Sequence, residues 1–471
     1  MKHLYISILS LSILFTSCSK SVEGVNNDPN NPTDAPANAI FTGILVANMN
    51  VQEGELARVA GMWSGYFKGQ QQQYLNYYQY NMRATNFDAT WQNIYSGAYK
   101  NIKILKQKAR SVNNLRMLGV AQVVEANIIA TAADLWGDVP YSQASDDNFP
   151  NPIYDAQADV YNKIQSVLDS AIINLNSSSF VDFAAQDIHF AGNMTKWIQT
   201  ANTLKARYYL HVRDYANALK YGALGINTAT NNWMAPHNAS GKGAYNQYYQ
   251  FFAQDRPSWM DANGSFFVGL VNSATTSTYR GNSKTIEKSR MSYLCTGTTN
   301  LNYTTNGFFG QISSFPLATY AENLLILAEA DTRLNGVNAG LIRLNAFRSY
   351  MSTGGYINST YLTTGNYKYD PYVAADFNSG GIENPTSKSV TPTEALLREI
   401  LEERYITLIG TFEGFNDMRR TFKETNIKVP IPVNFGSSLP QRMLYPQVEV
   451  DRNTSMPSNY PDLYTVTPIN K

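Results

Sequence analysis

Apolar residues recur at three- and four-residue spacing through much of the chain, the period of helices that bury one face. Val120, Val124, Ile128 and Leu135 line one face of a segment that closes at Gly137. Val160, Ile164, Val167, Ala171 and Leu175 line a second, which opens after Pro152 and Asp155. Trp197, Ala201, Leu204 and Tyr208 mark a third, and Tyr320, Leu324, Leu327 and Ala328 a fourth. The last begins at Thr391-Pro392-Thr393-Glu394, a capping box with Pro at the first helical position, and runs through Leu397, Ile400, Leu401 and Leu408. The pattern predicts a mainly α protein.

Two regions break the rhythm. Residues 231–315 and 354–391 are rich in Gly, Ser, Thr, Asn and Tyr with only short apolar runs, which predicts long loops with a few short strands. Loops of that length inside a compact domain are usually functional. The helices pair in order, and Tyr215-x-x-Ala218-Leu219-x-Tyr221 looks like the second helix of a tetratricopeptide hairpin, although no clean repeat period runs through the chain. The expected architecture is a tetratricopeptide-like helical hairpin scaffold carrying loop-rich insertions.

The N-terminus supplies an address. Met1-Lys2-His3 is a short basic start, followed by an apolar run from Leu4 to Phe15 and then Thr16-Ser17-Cys18. That run would rise about 18 Å as a helix, too little for a hydrocarbon core of roughly 30 Å. It reads as a signal peptide over residues 1–17. A Cys after small residues at its end resembles a bacterial lipobox, which makes Cys18 the lipidated N-terminus of the mature protein and a membrane anchor. Residues 18–38, with Asn26-Asn27-Asp28-Pro29-Asn30-Asn31-Pro32, read as a tether, and 39–471 as a single body.

Composition narrows the ligand. Charged residues are only 15% of the chain, the formal net charge is +1, and removal of Lys2 with the leader leaves the mature chain neutral. No field exists to attract nucleic acid. An aromatic share of 13%, with 32 Tyr, suits neutral polar ligands. Cys295 is the one thiol left after Cys18, so no internal disulfide forms, and without a nearby His it reads as a packed small residue. His-Glu-x-x-His, Gly-x-Ser-x-Gly and phosphate-loop signatures do not occur, so no metal or cofactor is expected; Asp261-x-Asn263-Gly264 reads as an Asx turn rather than half a calcium loop.

Six segments, in order, resemble the SusD/RagB family of outer-membrane nutrient-binding lipoproteins, in particular its second, SusD-like branch. They are Asn27-Asp28-Pro29-Asn30; Ala133-Asp134-Leu135-Trp136-Gly137-Asp138-Val139-Pro140-Tyr141; Asn193-Met194-Thr195-Lys196-Trp197 with Ala201-Asn202-Thr203-Leu204-Lys205-x-Arg207; Ala321 to Ala330; Glu403-Arg404 with Glu413-Gly414-Phe415-Asn416-Asp417-Met418-Arg419-Arg420; and Leu439-Pro440-Gln441-Arg442-Met443-Leu444-Tyr445-Pro446. Two departures stand out. The acidic run that often follows the lipidated Cys is replaced by Ser19-Lys20-Ser21-Val22-Glu23, and the nearest match to the family's central Asp-Pro-Arg step is Tyr279-Arg280-Gly281. The resemblance implies a helical body, surface exposure, capture of oligosaccharides or peptides for a SusC-type TonB-dependent transporter, and no catalysis. Rival expectations are a surface glycoside hydrolase and a structural transporter subunit without a ligand of its own.

The motif residues themselves read as structural: Gly137, Pro140 and Tyr141 as a helix stop and turn, and Glu403, Arg404, Glu413, Asp417, Arg419 and Arg420 as a charge network. Glu402 and Glu403 point about 100° apart on a helix, so they would not flank one glycosidic bond. Ligand candidates are aromatic residues in loops or at helix ends, because ring faces stack on sugars. Trp63, Tyr66 and Tyr77 stand in the densest aromatic stretch, residues 62–80; Trp233 and Trp259 stand in the first long insertion, the latter within a second cluster over 245–259. The competing reading is that many of these rings pack the core.

Overall fold

The computed structural model describes residues 35–471, so Cys18 and residues 1–34 lie outside the described residues. Of the expected tether, Ala35 and Pro36 precede a helix that already begins at Ala37. The scaffold is built from α1 (Ala37–Glu53), α2 (Glu55–Trp63), α3 (Lys100–Ser111), α4 (Leu115–Trp136), α5 (Gln157–Leu175), α6 (Met194–His211), α7 (Tyr215–Gly222), α8 (Tyr320–Ser352), α9 (Pro392–Thr407) and α10 (Glu413–Arg420). From α3 to α9 each helix packs on the next in sequence, the hairpin order the periodicity predicts. The fold is mainly α with short strands, as expected.

The centre of the scaffold is α4. Sequence periodicity gives it one apolar face, but every residue from Met117 to Trp136 is buried. It is long and apolar enough to cross a membrane, yet it lies wholly inside the fold. Its polar residues are therefore all pinned: Lys106 pairs with Glu125, Asn127 accepts from Tyr208 Oη at 3.1 Å, and Asp134 meets His211 Nδ1 at 3.0 Å. The helix stops at Gly137, whose φ of +83° is strained for any residue with a Cβ. Trp136 is the plug beneath that turn, its indole N–H donating to the Leu444 carbonyl at 2.7 Å.

The capping box at Thr391 and Glu394 forms as read, and α9 runs from it. α8 is two helical pieces joined at Gly336, where φ is +79°. The expected charge network is present and reaches further than neighbouring helix and loop. Arg404 Nε pairs with Asp417 at 2.9 Å, and both terminal nitrogens of Arg420 reach Glu329 on α8 at 2.6 Å. Arg280 joins Glu399 at 2.6 Å and Glu403 at 2.9 Å, so the step nearest the family's central motif ties the first insertion to α9. These ions are buried, where a missing partner would be costly.

The first insertion is a closed excursion. Trp233–Ala235 near its start pairs antiparallel with Phe315–Ala318 at its end, and Thr285–Ile286 pairs with Lys368–Tyr369 of the second insertion. The sequence reading of loops with a few strands is corrected here: short helices at Phe266–Val271 and Lys288–Leu294 carry part of it, because Phe267, Val268, Leu270 and Val271 reach the core. Cys295 is buried and unpaired, and burial pushes its thiol up to about 12, the packed residue expected.

Candidate functional site

Four of the five aromatic residues expected to meet a ligand belong to the core. Trp63 has no exposed surface, packs edge-on against Phe415, and donates its indole N–H to the Tyr77 carbonyl at 2.9 Å. Tyr66 stacks on Tyr405 at 4.4 Å and donates to its carbonyl at 2.6 Å. Tyr77 is buried beside Tyr74, and Trp233 lies against Trp197 and His189. For Trp63, Tyr66 and Tyr77 the reason is that α2 and the segment after it are covered by α9, α10 and the insertion, so their rings become the packing between layers; Trp233, at the start of the insertion, is buried because its strand lays it on Trp197 of α6. Trp259 is half-buried, under the Arg256 guanidinium at 4.8 Å, and does not line the groove described next.

An open groove instead lies where the C-terminal end of α1 meets the insertion. Three lobes of about 310, 470 and 270 Å³ converge on two residues that line all of them, Asn50 and Gln247. Asn50 is exposed on the last turn of α1, and the Gln247 side-chain amide donates to Asn50 Oδ1. Gln247 opens a short helical turn because Asn246, fully buried, accepts from the N–H groups of Tyr248 and Tyr249 and donates to the Ser313 carbonyl at 3.0 Å.

Each lobe has its own chemistry. The largest is walled by Val46, Met49, Ile188, Pro236 and Tyr245, with His237 at its edge. His237 Nε2 meets Glu53 Oε2 at 2.9 Å; burial raises the Glu53 carboxyl pKa, and the imidazole partner opposes that rise. The other lobes share Arg58 and add Thr90 and Asn93 on one side, and Lys242, Gln250, Phe251 and Asp255 on the other. Two π-helical segments, Asn93–Tyr99 and Gln250–Asp255, contribute to these walls, an irregularity frequent at functional sites.

Neutral amides, an aromatic ring and one apolar wall can stack on a ring and bond hydroxyl or amide groups without protonating anything. The aromatic cluster at 245–259 carried a usable signal, since Tyr245 and Phe251 do line the groove. Asn50, Arg58 and Gln247 went unnoticed, because nothing in a helical stretch marks a residue whose neighbour arrives from about two hundred positions away. The Glu402–Glu403 pair lies elsewhere: Glu403 is buried between Arg280 and Arg290, each at 2.9 Å, which hold its pKa low against the opposing effect of burial. Asp261 and Asn263 form the expected Asx turn, the Asn263 N–H donating to Asp261 Oδ1 at 3.0 Å.

The class of protein is thus a mainly α scaffold of paired helices with an open groove at the root of its insertion. The chain belongs to the SusD-like family, second branch, described as starch-binding and associating with the outer membrane; the match covers residues 29–446. Solved structures agree on the fold. A SusD/RagB family protein from Bacteroides thetaiotaomicron superposes with a TM-score of 0.70 at 21% identity, covering 93% of this chain and 99% of its own. A SusD homolog from Parabacteroides distasonis gives 0.67 at 17% identity, covering 93% and 98%. A chitin-binding SusD homolog from Flavobacterium johnsoniae gives 0.64 at 16% identity, covering 92% and 99%. No curated protein matches the chain.

Proposed function

We propose that this protein captures oligosaccharides at the outer membrane and delivers them to a SusC-type TonB-dependent transporter, without catalysing a reaction on them. The observation that carries the binding role is the convergence of three lobes on Asn50 and Gln247, lined by amides and by Tyr245. Membership of a family described as starch-binding supports a glycan over a peptide, as does the chitin-binding description of one structural relative. Processing at Cys18 would leave a lipid anchor, and residues 18–36 would tether the body to it.

Titration calorimetry of the mature chain against glycan and peptide panels tests the binding role. At least one glycan class is expected to bind, and the Asn50→Ala, Gln247→Ala double variant to lose it while melting at the wild-type temperature. Full affinity in that variant removes the groove from the proposal. Replacing Cys18 by Ala should release the protein from membranes in cells lacking the transporter, and co-purification with a transporter barrel tests the partnership.

A further inference from the structure

Arg58 is satisfied differently from the other arginines. Among the described residues, every other arginine that is buried or half-buried has a hydrogen-bond acceptor within 2.9 Å. Arg58 has only a Tyr74 hydroxyl at 3.4 Å and the Glu53 carbonyl at 3.5 Å, and no carboxylate within ion-pair distance. Its guanidinium is nevertheless fixed, lying 4.6 Å from the centre of the Phe251 ring, and it lines two of the three lobes. A half-buried cation held over an aromatic face with unfilled donors is pre-organised for a planar, two-oxygen acceptor.

The surroundings decide the sign of the missing group. The smallest lobe is lined by two cations, Arg58 and Lys242, and one carboxylate, Asp255. Asp255 faces Lys242 at 3.4 Å, with both side chains largely in solvent, a weak pair that leaves Arg58 unanswered. Glu55, half-buried, lines the neighbouring lobe three residues from Arg58 without approaching it to ion-pair distance, and Glu53 is held by His237. Among the described residues, Glu53 and Asp255 thus have cationic or imidazole partners, while Arg58 has two long hydrogen bonds to neutral oxygens and no carboxylate within ion-pair distance.

We propose that the ligand of this groove is an acidic oligosaccharide, a glycan containing uronic acid residues whose carboxylate pairs with Arg58 in the lobe that Lys242 and Gln250 complete. The proposal rests on the groove being the glycan site, and it departs from the neutral ligand that overall composition favours. A charge-assisted, bidentate pair in a partly desolvated lobe is about twice as strong as a neutral hydrogen bond, which gives selectivity for carboxylate over hydroxymethyl at the same sugar position.

Carboxyl reduction supplies the test, since it turns each uronate into the neutral hexose without changing a linkage. A panel of uronate-containing oligosaccharides and their carboxyl-reduced counterparts is titrated into the mature chain at low and high salt. Binding to at least one acidic member is expected, weaker by tenfold or more after reduction and weakened by salt. Arg58→Gln should abolish the difference between the two forms, and Arg58→Lys should retain part of it. Lys242→Gln, on an exposed loop, serves as a second variant with a smaller loss. Equal affinity for parent and reduced glycans in the wild-type chain overturns the acidic-ligand proposal and leaves the glycan-binding reading standing. Binding of no member of this panel overturns the acidic-ligand proposal, and the glycan-binding reading then stands or falls on the separate titrations against neutral glycans and peptides, where binding of peptides alone overturns it.

Discussion

Two aromatic stretches of nearly the same composition have opposite fates in this molecule. Residues 62–80 bury Trp63, Tyr66, Phe67, Tyr74, Tyr77 and Tyr80, leaving of their rings only Tyr78 half-buried, and the hydroxyl or indole groups of Trp63 and Tyr66 are spent on carbonyls inside the fold. Residues 245–259 bury Tyr248, Phe251 and Phe252 as well, yet Tyr245 remains half-buried on the groove wall and Phe251 supports Arg58. The difference is what covers each stretch. The first lies beneath α9 and α10, which brings Tyr405 and Phe415 onto its rings; the second turns at Asn246 beside the end of α1, where Tyr245 packs edge-on to Tyr249 and keeps one side on the groove. Aromatic density therefore measures packing and recognition alike until the neighbouring layers are placed.

The contrast can be broken most sharply on its buried side. Trp63→Ala removes a fully buried indole and its hydrogen bond, and should destabilise the protein by about 3–5 kcal/mol in denaturant unfolding, with glycan affinity of the folded fraction unchanged. A loss of affinity without a loss of stability would mean that the first stretch is a binding surface after all.

The ionic core beneath the same stretch predicts a pH dependence. Burial opposes charging His211, but the carboxylates of Asp134 and Glu413 outweigh it and push the imidazole up to about 10. A group raised in the folded state above its ordinary value near 6.5 stabilises fully below that pH, and the contribution is lost as pH rises through about 10. Stability should decline from about pH 7 to 10 in the wild type, and that slope should flatten in His211→Gln. An identical slope in both would show that the imidazole is neutral in the fold.

On the open side the expected effect is smaller and of another kind. Tyr245→Ala should weaken glycan binding by about 1–2 kcal/mol, close to tenfold, while shifting unfolding free energy by no more than about 0.5 kcal/mol, as for surface positions generally. A large stability loss with intact binding would reverse the assignment of the two stretches.

Particular elements show how far the chain could be read unaided. The stop at Gly137 and the capping box at Thr391 were legible because each is a local geometric demand met by residues within four positions. The charge network around Glu403 to Arg420 was legible in kind, since opposite charges close in sequence need partners, but its reach to Arg280, Glu329 and His211 was not. α4 misled periodicity: polar residues at Gln122, Glu125 and Asn127 suggest a wet face, while in the fold each is sealed against another element.

What the sequence by itself determined is the helical scaffold and the order of its family segments, because helix period, caps and turn residues act over a few positions. Only the tertiary structure decided which aromatic residues are available and where the groove lies. Asn50 and Gln247 are unremarkable in their own segments and become a site when the insertion folds back on α1. Arg58 becomes informative only when every acceptor around it can be counted, and that depends on long-range packing which no local pattern encodes.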